Sequence, residues 1–233
     1  MRLPRTGMLA VALVVSMTSF CAETARAQTP KYPPLSEYMM SPDAEVELAR
    51  SAAPDGVSDH ATIMVLTTAG YKVSSQGDNG FVCMVMRGWG APTFTPKPNR
   101  NLVYDPQTRA PICFNPVAVR TVLPYQELRA KLAMEGKSPA EIADAIEEAY
   151  VKGDLPKMEA VGFGYMFSAA QKLGPAGAWH PHMMVYTPYY TNAMLGGNSG
   201  DDMLPAISDD EGTPFAVTVI PVEHELAVKI RTR

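Results

Sequence analysis

ATIMVLTTAGYKVSSQGDNGFVCMVM, residues 61–86, contains three segments rich in strand-forming residues that are separated by two turn sequences. The first segment, 61–67, is a continuous apolar run, which is typical of a strand buried on both faces. A Gly-containing turn separates it from 71–75, and QGDNG at 76–80 leads into 81–86. We therefore predict three consecutive strands that form an antiparallel meander.

Helices are predicted before and after these strands along the chain. Ser41 followed by Pro42 is a suitable N-cap and first helical residue. The segment 124–135 repeats apolar residues at helical spacing and ends at a glycine. Ser138-Pro139-Ala140-Glu141 has the pattern of a capping box, and the apolar repeat behind it predicts a helix that ends at Gly153.

Strand-forming segments return after this helix pair. Large apolar residues alternate with smaller ones over 161–167, and the segments 180–186 and 215–222 are rich in β-forming residues. Residues 88–111 contain several prolines without a periodic pattern and predict a long ordered loop. The order of elements favours a single α+β domain over 41–230, with an antiparallel sheet and helices packed on one face.

The N terminus has the three parts of a secretory signal peptide. Two arginines lie among the first five residues, 8–21 is an apolar run, and Ala25-Arg26-Ala27 is a small-x-small cleavage site. The apolar run of about 14 residues is shorter than the roughly 20 that span a membrane. We therefore expect 1–27 to be a removed signal peptide. The exported, periplasmic or secreted chain would then begin with an extended Pro-rich lead-in over 28–40 and would make no stable membrane insertion.

Signal removal also decides how the three cysteines are interpreted. Cleavage would remove Cys21 and leave Cys83 and Cys113, and a single pair in an oxidising compartment favours a disulfide bond. Two buried thiols or a thiolate metal site are the alternatives, although the spacing contains no CxxC. A lipid anchor on Cys21 is disfavoured because Phe20, rather than a small residue, precedes it.

The charge pattern limits the classes of partner. After cleavage the chain would keep 17 basic and 23 acidic side chains, a net charge of −6. It would contain no basic cluster, which argues against nucleic acid and anionic membranes as partners. An unidentified small molecule or protein is the expected partner.

Trp179-His180-Pro181-His182 is the most specific chemical signal in the chain. Side chains two residues apart in a strand share a face, so His180 and His182 would lie about 7 Å apart. Paired imidazoles on a strand are one way to begin a zinc or copper site. A third ligand would have to come from elsewhere, and the candidates are His60, His224, Asp59 and Glu223. The alternative is that both histidines are structural.

A second signal is the length of the connection between the last two predicted strands. The segment 188–213 contains about 26 residues, whereas typical connections contain about 4–6, and long loops are either functional or disordered. Tyr189, Tyr190 and Asn192 would line a ligand site where this loop approaches the histidine strand and the loop 88–111. A second hypothesis is a hydrolase-like enzyme that uses the histidines as zinc ligands or as a general base. A third is a structural or interaction protein without a chemical site.

Four motifs together resemble a family of exported bacterial proteins of uncharacterised activity, found in soil-type and environmental organisms. They are Asp59-His60-Ala61-Thr62, Gly80-Phe81-Val82-Cys83, the PICFNP sequence at 111–116, and the WHPHMM sequence at 179–184. The resemblance covers about residues 50–222 and implies no reaction. It implies a Cys83–Cys113 pairing, and it implies that 179–184 is a site.

Overall fold

The computed structural model describes residues 32–89, 93–94, 104–159, 161–173, 179–197, 203–207 and 210–231. The predicted signal peptide, the first part of the lead-in and parts of both long loops lie outside these ranges. The described residues belong to one compact unit, Lys31–Arg233. No helix among them combines the length and apolar character needed to cross a lipid bilayer.

The described residues form an α+β fold, as predicted. The strands are β1 (Thr62–Thr67), β2 (Gly70–Ser75), β3 (Val82–Met86), β4 (Ala110–Phe114), β5 (Phe163–Met166), β6 (His182–Tyr186), β7 (Ala206–Ile207) and β8 (Val217–Pro221). The helices are α1 (Leu35–Tyr38), α2 (Pro42–Arg50), α3 (Asp55–Ser58), α4 (Pro116–Thr121), α5 (Leu123–Met134), α6 (Pro139–Lys152) and α7 (His224–Arg231), with a 3₁₀ helix at Asn192–Leu195. The eight strands form one mixed sheet in the order β2-β1-β3-β4-β5-β6-β8-β7.

The predicted antiparallel meander of the first three strands is wrong in one pairing. β1 and β2 form an antiparallel hairpin, but β3 pairs with β1 in parallel and on the other side. The connecting segment crosses the start of β1, where Asp78 N donates to His60 O at 2.9 Å. Gly77 is needed for this crossing, because a Cβ there would lie 2.2 Å from the same carbonyl oxygen.

Helices lie on both faces of the sheet, so the prediction that they pack on one face is not confirmed. β3 shows the division, because alternate residues of a strand face opposite sides. Cys83 and Val85 belong to the apolar cluster under α2, whereas Met84 belongs to the cluster that includes Ile142 and Ile146 of α6. The central strands are apolar on both faces, and each face therefore requires a covering layer.

The predicted disulfide between Cys83 and Cys113 is present. The two cysteines are directly opposite each other in the antiparallel pair β3–β4. Both are fully buried in the cluster that contains the small side chains Ala49, Ala52 and Ala53. The bond therefore joins two central strands beneath the α2 region.

The lead-in predicted as extended contains a helical turn instead. The turn is α1, and its last residue, Tyr38, is 2% exposed. Tyr38 Oη donates a hydrogen bond to Tyr104 O at 3.1 Å. Pro33 and Pro34 therefore precede a short helix whose last residue is held to the core.

A buried ion pair fastens α2 to the sheet. Glu45 Oε2 lies 2.9 Å from Arg87 Nη2, and the two side chains are 1% and 0% exposed. Glu45 Oε1 also accepts a hydrogen bond from Leu66 N at 3.0 Å, and Arg87 Nε donates to Tyr38 O at 2.7 Å. Both charges are therefore neutralised and hydrogen-bonded, which is the condition for burying them.

Candidate functional site

The two histidines of the WHPH motif occupy different environments. β6 begins at His182, so His180 precedes the strand, and the prediction of a strand over 180–186 is two residues too long at its start. His182 is 4% exposed, and its Nδ1 lies 2.7 Å from His180 O. Since a carbonyl oxygen only accepts, Nδ1 carries the proton and Nε2 holds the lone pair of the neutral ring. Burial lowers the pKa of His182, which favours this neutral form.

Neighbouring residues fix this short segment. The Trp179 ring lies 5.5 Å from the His180 ring and 5.0 Å from the His182 ring, measured between centroids. Gln171 Nε2 donates to the carbonyl oxygens of Trp179 and His180 at 3.1 and 3.3 Å. These contacts account for the position of His182 without a metal ion.

The structure does not bring His60 to the histidine pair. His60 lies at the start of β1, which is four strands away from β6 in the sheet, a separation of about 19 Å at about 4.8 Å per strand. Its Nδ1 lies 3.1 Å from Asp78 Oδ1 on the surface. Among the residues that the structure describes, no group of three or more His, Cys, Asp or Glu side chains is arranged to hold a metal ion.

In the part of the chain that the structure describes, the loop 188–213 starts at the end of β6 that lies away from His182, so its predicted meeting with the histidines stays a prediction. This loop leaves β6 after Tyr186, while His182 is at the opposite end, about 13 Å away at about 3.3 Å per residue. Tyr189 and Tyr190 are 59% and 47% exposed. Asn192 instead holds the loop together, because its side chain bonds to both backbone groups of Ile207 at 2.9 and 3.1 Å.

The described parts of the two long loops do meet each other. Thr93 Oγ1 donates to Asp210 Oδ2 at 3.3 Å, and Phe94 N donates to Glu147 on α6. Phe94, Asp210 and Tyr189 have positive φ values of 56°, 58° and 67°. Such left-handed conformations are unfavourable for these residue types and persist where surrounding contacts enforce them. This loop junction is therefore tightly built, but it is separate from the histidine pair.

An open groove lies at the β2 end of the sheet, between the β1–β2 hairpin and α5. Its volume is about 430 Å³, which is within the range of about 300–1,000 Å³ typical of small-ligand sites. One wall is the continuous segment 68–72 at the hairpin turn and the start of β2. The other wall is formed by Glu127, Lys131 and Met134 on α5 and by Glu135, the residue that follows the helix.

Charges of both signs line this groove. Partial loss of solvent raises the pKa of the Glu127 carboxyl, and nearby Lys72 acts in the opposite direction. Glu127 and Lys72 both remain accessible from solvent. Neither side chain forms a hydrogen bond or an ion pair with another described residue. A partly desolvated carboxylate beside an ammonium group in a groove is a pattern found at binding sites.

No pattern in the sequence predicts this groove. The charged residues of α5 have the spacing of an ordinary solvated helix face, and the hairpin turn is 55 or more residues earlier in the chain. Only the packing of α5 against β2 places the two walls opposite each other.

No protein-family model, curated protein or solved structure matches this chain.

Proposed function

We propose that this protein is an exported binding protein for a small organic ligand, and that the ligand occupies the groove between the β1–β2 hairpin and α5. The observation that carries the proposal is the groove itself. It has the volume of a small-molecule site and contains mixed charges that are accessible to a ligand.

The electrostatics favour a ligand with both a cationic and an anionic group. A ligand amine placed at Glu127 would replace the water that the groove walls remove from this carboxylate. A ligand carboxylate would pair with the ammonium groups of Lys72 and Lys131. Free amino acids and very short peptides are the simplest molecules that combine these two groups.

Export is part of the same proposal. The disulfide between Cys83 and Cys113 is compatible with an oxidising compartment, and the N-terminal sequence has the features of a signal peptide. A binding role for His180 and His182 is not included, because the structure separates them from the groove by most of the sheet.

The test is a titration of the isotope-labelled chain, exported so that its disulfide forms, with a panel of the common amino acids. We expect shifts of backbone amide resonances that are confined to residues 68–72 and 127–135. Glu127→Gln and Lys72→Gln should each weaken binding, by about tenfold if one charge-assisted hydrogen bond is lost. Glu47→Gln is the matched control, since this exposed glutamate lies on α2, on the opposite face of the sheet.

The hydrolase-like and structural hypotheses make different predictions for the same experiment. Shifts centred on His182, rather than on α5, would favour a histidine site and contradict the groove. A complete lack of shifts across the panel would contradict a small zwitterionic ligand and leave a role in protein interaction as the better hypothesis.

A further inference from the structure

We infer that the natural ligand of this groove is an extended peptide whose main chain adds to the free edge of β2. This inference rests on the proposed function and specifies the class of ligand. It depends on three features of the structure: the position of β2 in the sheet, the composition of the groove walls and the location of the charges.

β2 is the terminal strand on its side of the eight-stranded sheet. Its pairing with β1 is regular from Gly70 to Val73 and is interrupted by a register shift next to Ser74. Val73 is 54% exposed, and its neighbours Lys72 and Ser74 are exposed as well. An exposed edge strand presents backbone N–H and C=O groups that can pair with another extended chain.

The groove lies beside the first residues of this strand. One of its walls contains Gly70, Tyr71 and Lys72, which belong to the regularly paired part of β2, and the other wall is α5. A cleft between an edge strand and a helix is the geometry of peptide recognition by strand addition. In that mode the main chain supplies hydrogen bonds, and alternate side chains supply specificity.

The charges in the groove indicate which peptide side chains would fit. Met134 offers apolar surface on the helix wall, about two turns after Glu127. Glu127 makes no hydrogen bond or ion pair with a described residue, and the groove walls partly desolvate it. A peptide with an apolar side chain against Met134 and a Lys or Arg side chain at Glu127 would complement this wall.

The experiment is a selection of phage-displayed random heptapeptides on the full exported chain, followed by affinity measurements on the enriched sequences. Ala69→Trp would fill the groove from the exposed turn, and Val151→Trp on α6 is the matched control because Val151 is 76% exposed. We expect Ala69→Trp to weaken peptide binding by about tenfold or more and Val151→Trp to leave it unchanged. Circular dichroism would verify that both variants fold.

A second measurement tests the main-chain pairing directly. N-methylation of single peptide amides should weaken binding at every second residue and have little effect at the residues between, since alternate amides of an added strand face β2. Equal effects at all positions would overturn strand addition, as would enriched peptides that bind Ala69→Trp normally.

The remaining outcomes separate this inference from the proposed function. If free amino acids shift the groove resonances but no peptide is enriched, the binding function stands and the peptide inference fails. If neither binds, both fail. If light scattering shows that the chain forms dimers that Val73→Lys dissociates, a second copy of the chain occupies the β2 edge and the peptide inference is wrong.

Discussion

Loss of one partner from the buried Glu45–Arg87 pair should cost more stability than loss of any exposed charge in this protein. Glu45→Gln keeps the size of the side chain and keeps an oxygen that can accept the hydrogen bond from Leu66 N. It removes only the negative charge. Arg87 would then be a cation with 0% side-chain exposure and no counter-charge 2.9 Å away.

The expected magnitude follows from this environment. Removal of one partner from a buried ion pair typically costs about 3–5 kcal/mol, because the remaining charge is neither solvated nor paired. Arg87→Met should cost at least as much, since it also leaves Tyr38 O without the donor that lies 2.7 Å away. Domains are typically stable by only about 5–15 kcal/mol, so either variant should lose a large part of the free energy of unfolding.

A double-mutant cycle measured by urea denaturation tests the prediction. The double variant Glu45→Gln with Arg87→Met leaves no unpaired buried charge. Its loss of stability should therefore be close to that of one single variant, which corresponds to a coupling energy of about 3–5 kcal/mol. Asp59→Asn is the control, because Asp59 is 69% exposed and lies 4.0 Å from Arg50. Such a surface pair contributes less than about 1 kcal/mol.

Additive effects within about 0.5 kcal/mol would refute the reasoning. Additivity would mean that Glu45 and Arg87 do not compensate each other's burial. Single losses as small as the one at Asp59 would refute it as well, because they would show that water reaches both charges in solution.

Two further predictions concern other buried groups. Replacing both Cys83 and Cys113 with alanine should reduce the free energy of unfolding by about 4 kcal/mol, the loop-closure value for a separation of 30 residues; a loss below about 1 kcal/mol in urea denaturation would contradict this. Burial lowers the pKa of His182 below its ordinary value, so the unfolded chain binds more protons and stability should fall as the pH drops below about 6.5. His182→Gln should flatten this dependence between about pH 7 and about pH 5; identical slopes for the wild type and His182→Gln would contradict the assignment.

The helix boundaries that depend on residues close together in the chain were predictable from the sequence. Ser138 accepts from Glu141 N, and the Glu141 side chain accepts from Ser138 N, as the capping-box pattern indicates. The helix that follows ends at Gly153, which has a φ of +82°. Both features depend on residues within one turn of each other, so no knowledge of the tertiary fold is needed.

The order of the strands was not predictable in the same way. The turn sequence between β2 and β3 is compatible with a hairpin, and the apolar pattern of β3 is the same whether it pairs with β2 or with β1. The pairing of β3 with β1 depends on the contact of Gly77 with His60 O and on the hydrogen bond from Thr62 N to Phe81 O at 2.9 Å. These contacts are visible only after the chain has folded back across β1.

The burial of Glu45 and Arg87 was also not predictable from the sequence. Glu45 is an acidic residue in the first turn of α2, where acids are common because they favour the positive end of the helix dipole. Its partner Arg87 is 42 residues later. No nearby residue in the sequence distinguishes this buried pair from a solvated one. The sequence therefore indicates only an acid at the start of a helix, whereas in the structure Glu45 joins α2 to the sheet.

The positions of the disulfide and of the buried ion pair explain why the groove is a better candidate site than the histidine motif. The disulfide holds β3 to β4, and the Glu45–Arg87 pair holds α2 to the sheet. His182 is held by its own loop through His180 O. Strand β2, in contrast, pairs with a described strand along one edge only, and Lys72 and Glu127 beside it form no hydrogen bond or ion pair with a described residue. Binding sites commonly combine a rigid scaffold with polar groups left available for a ligand, and in the described structure this combination is found where α5 faces β2.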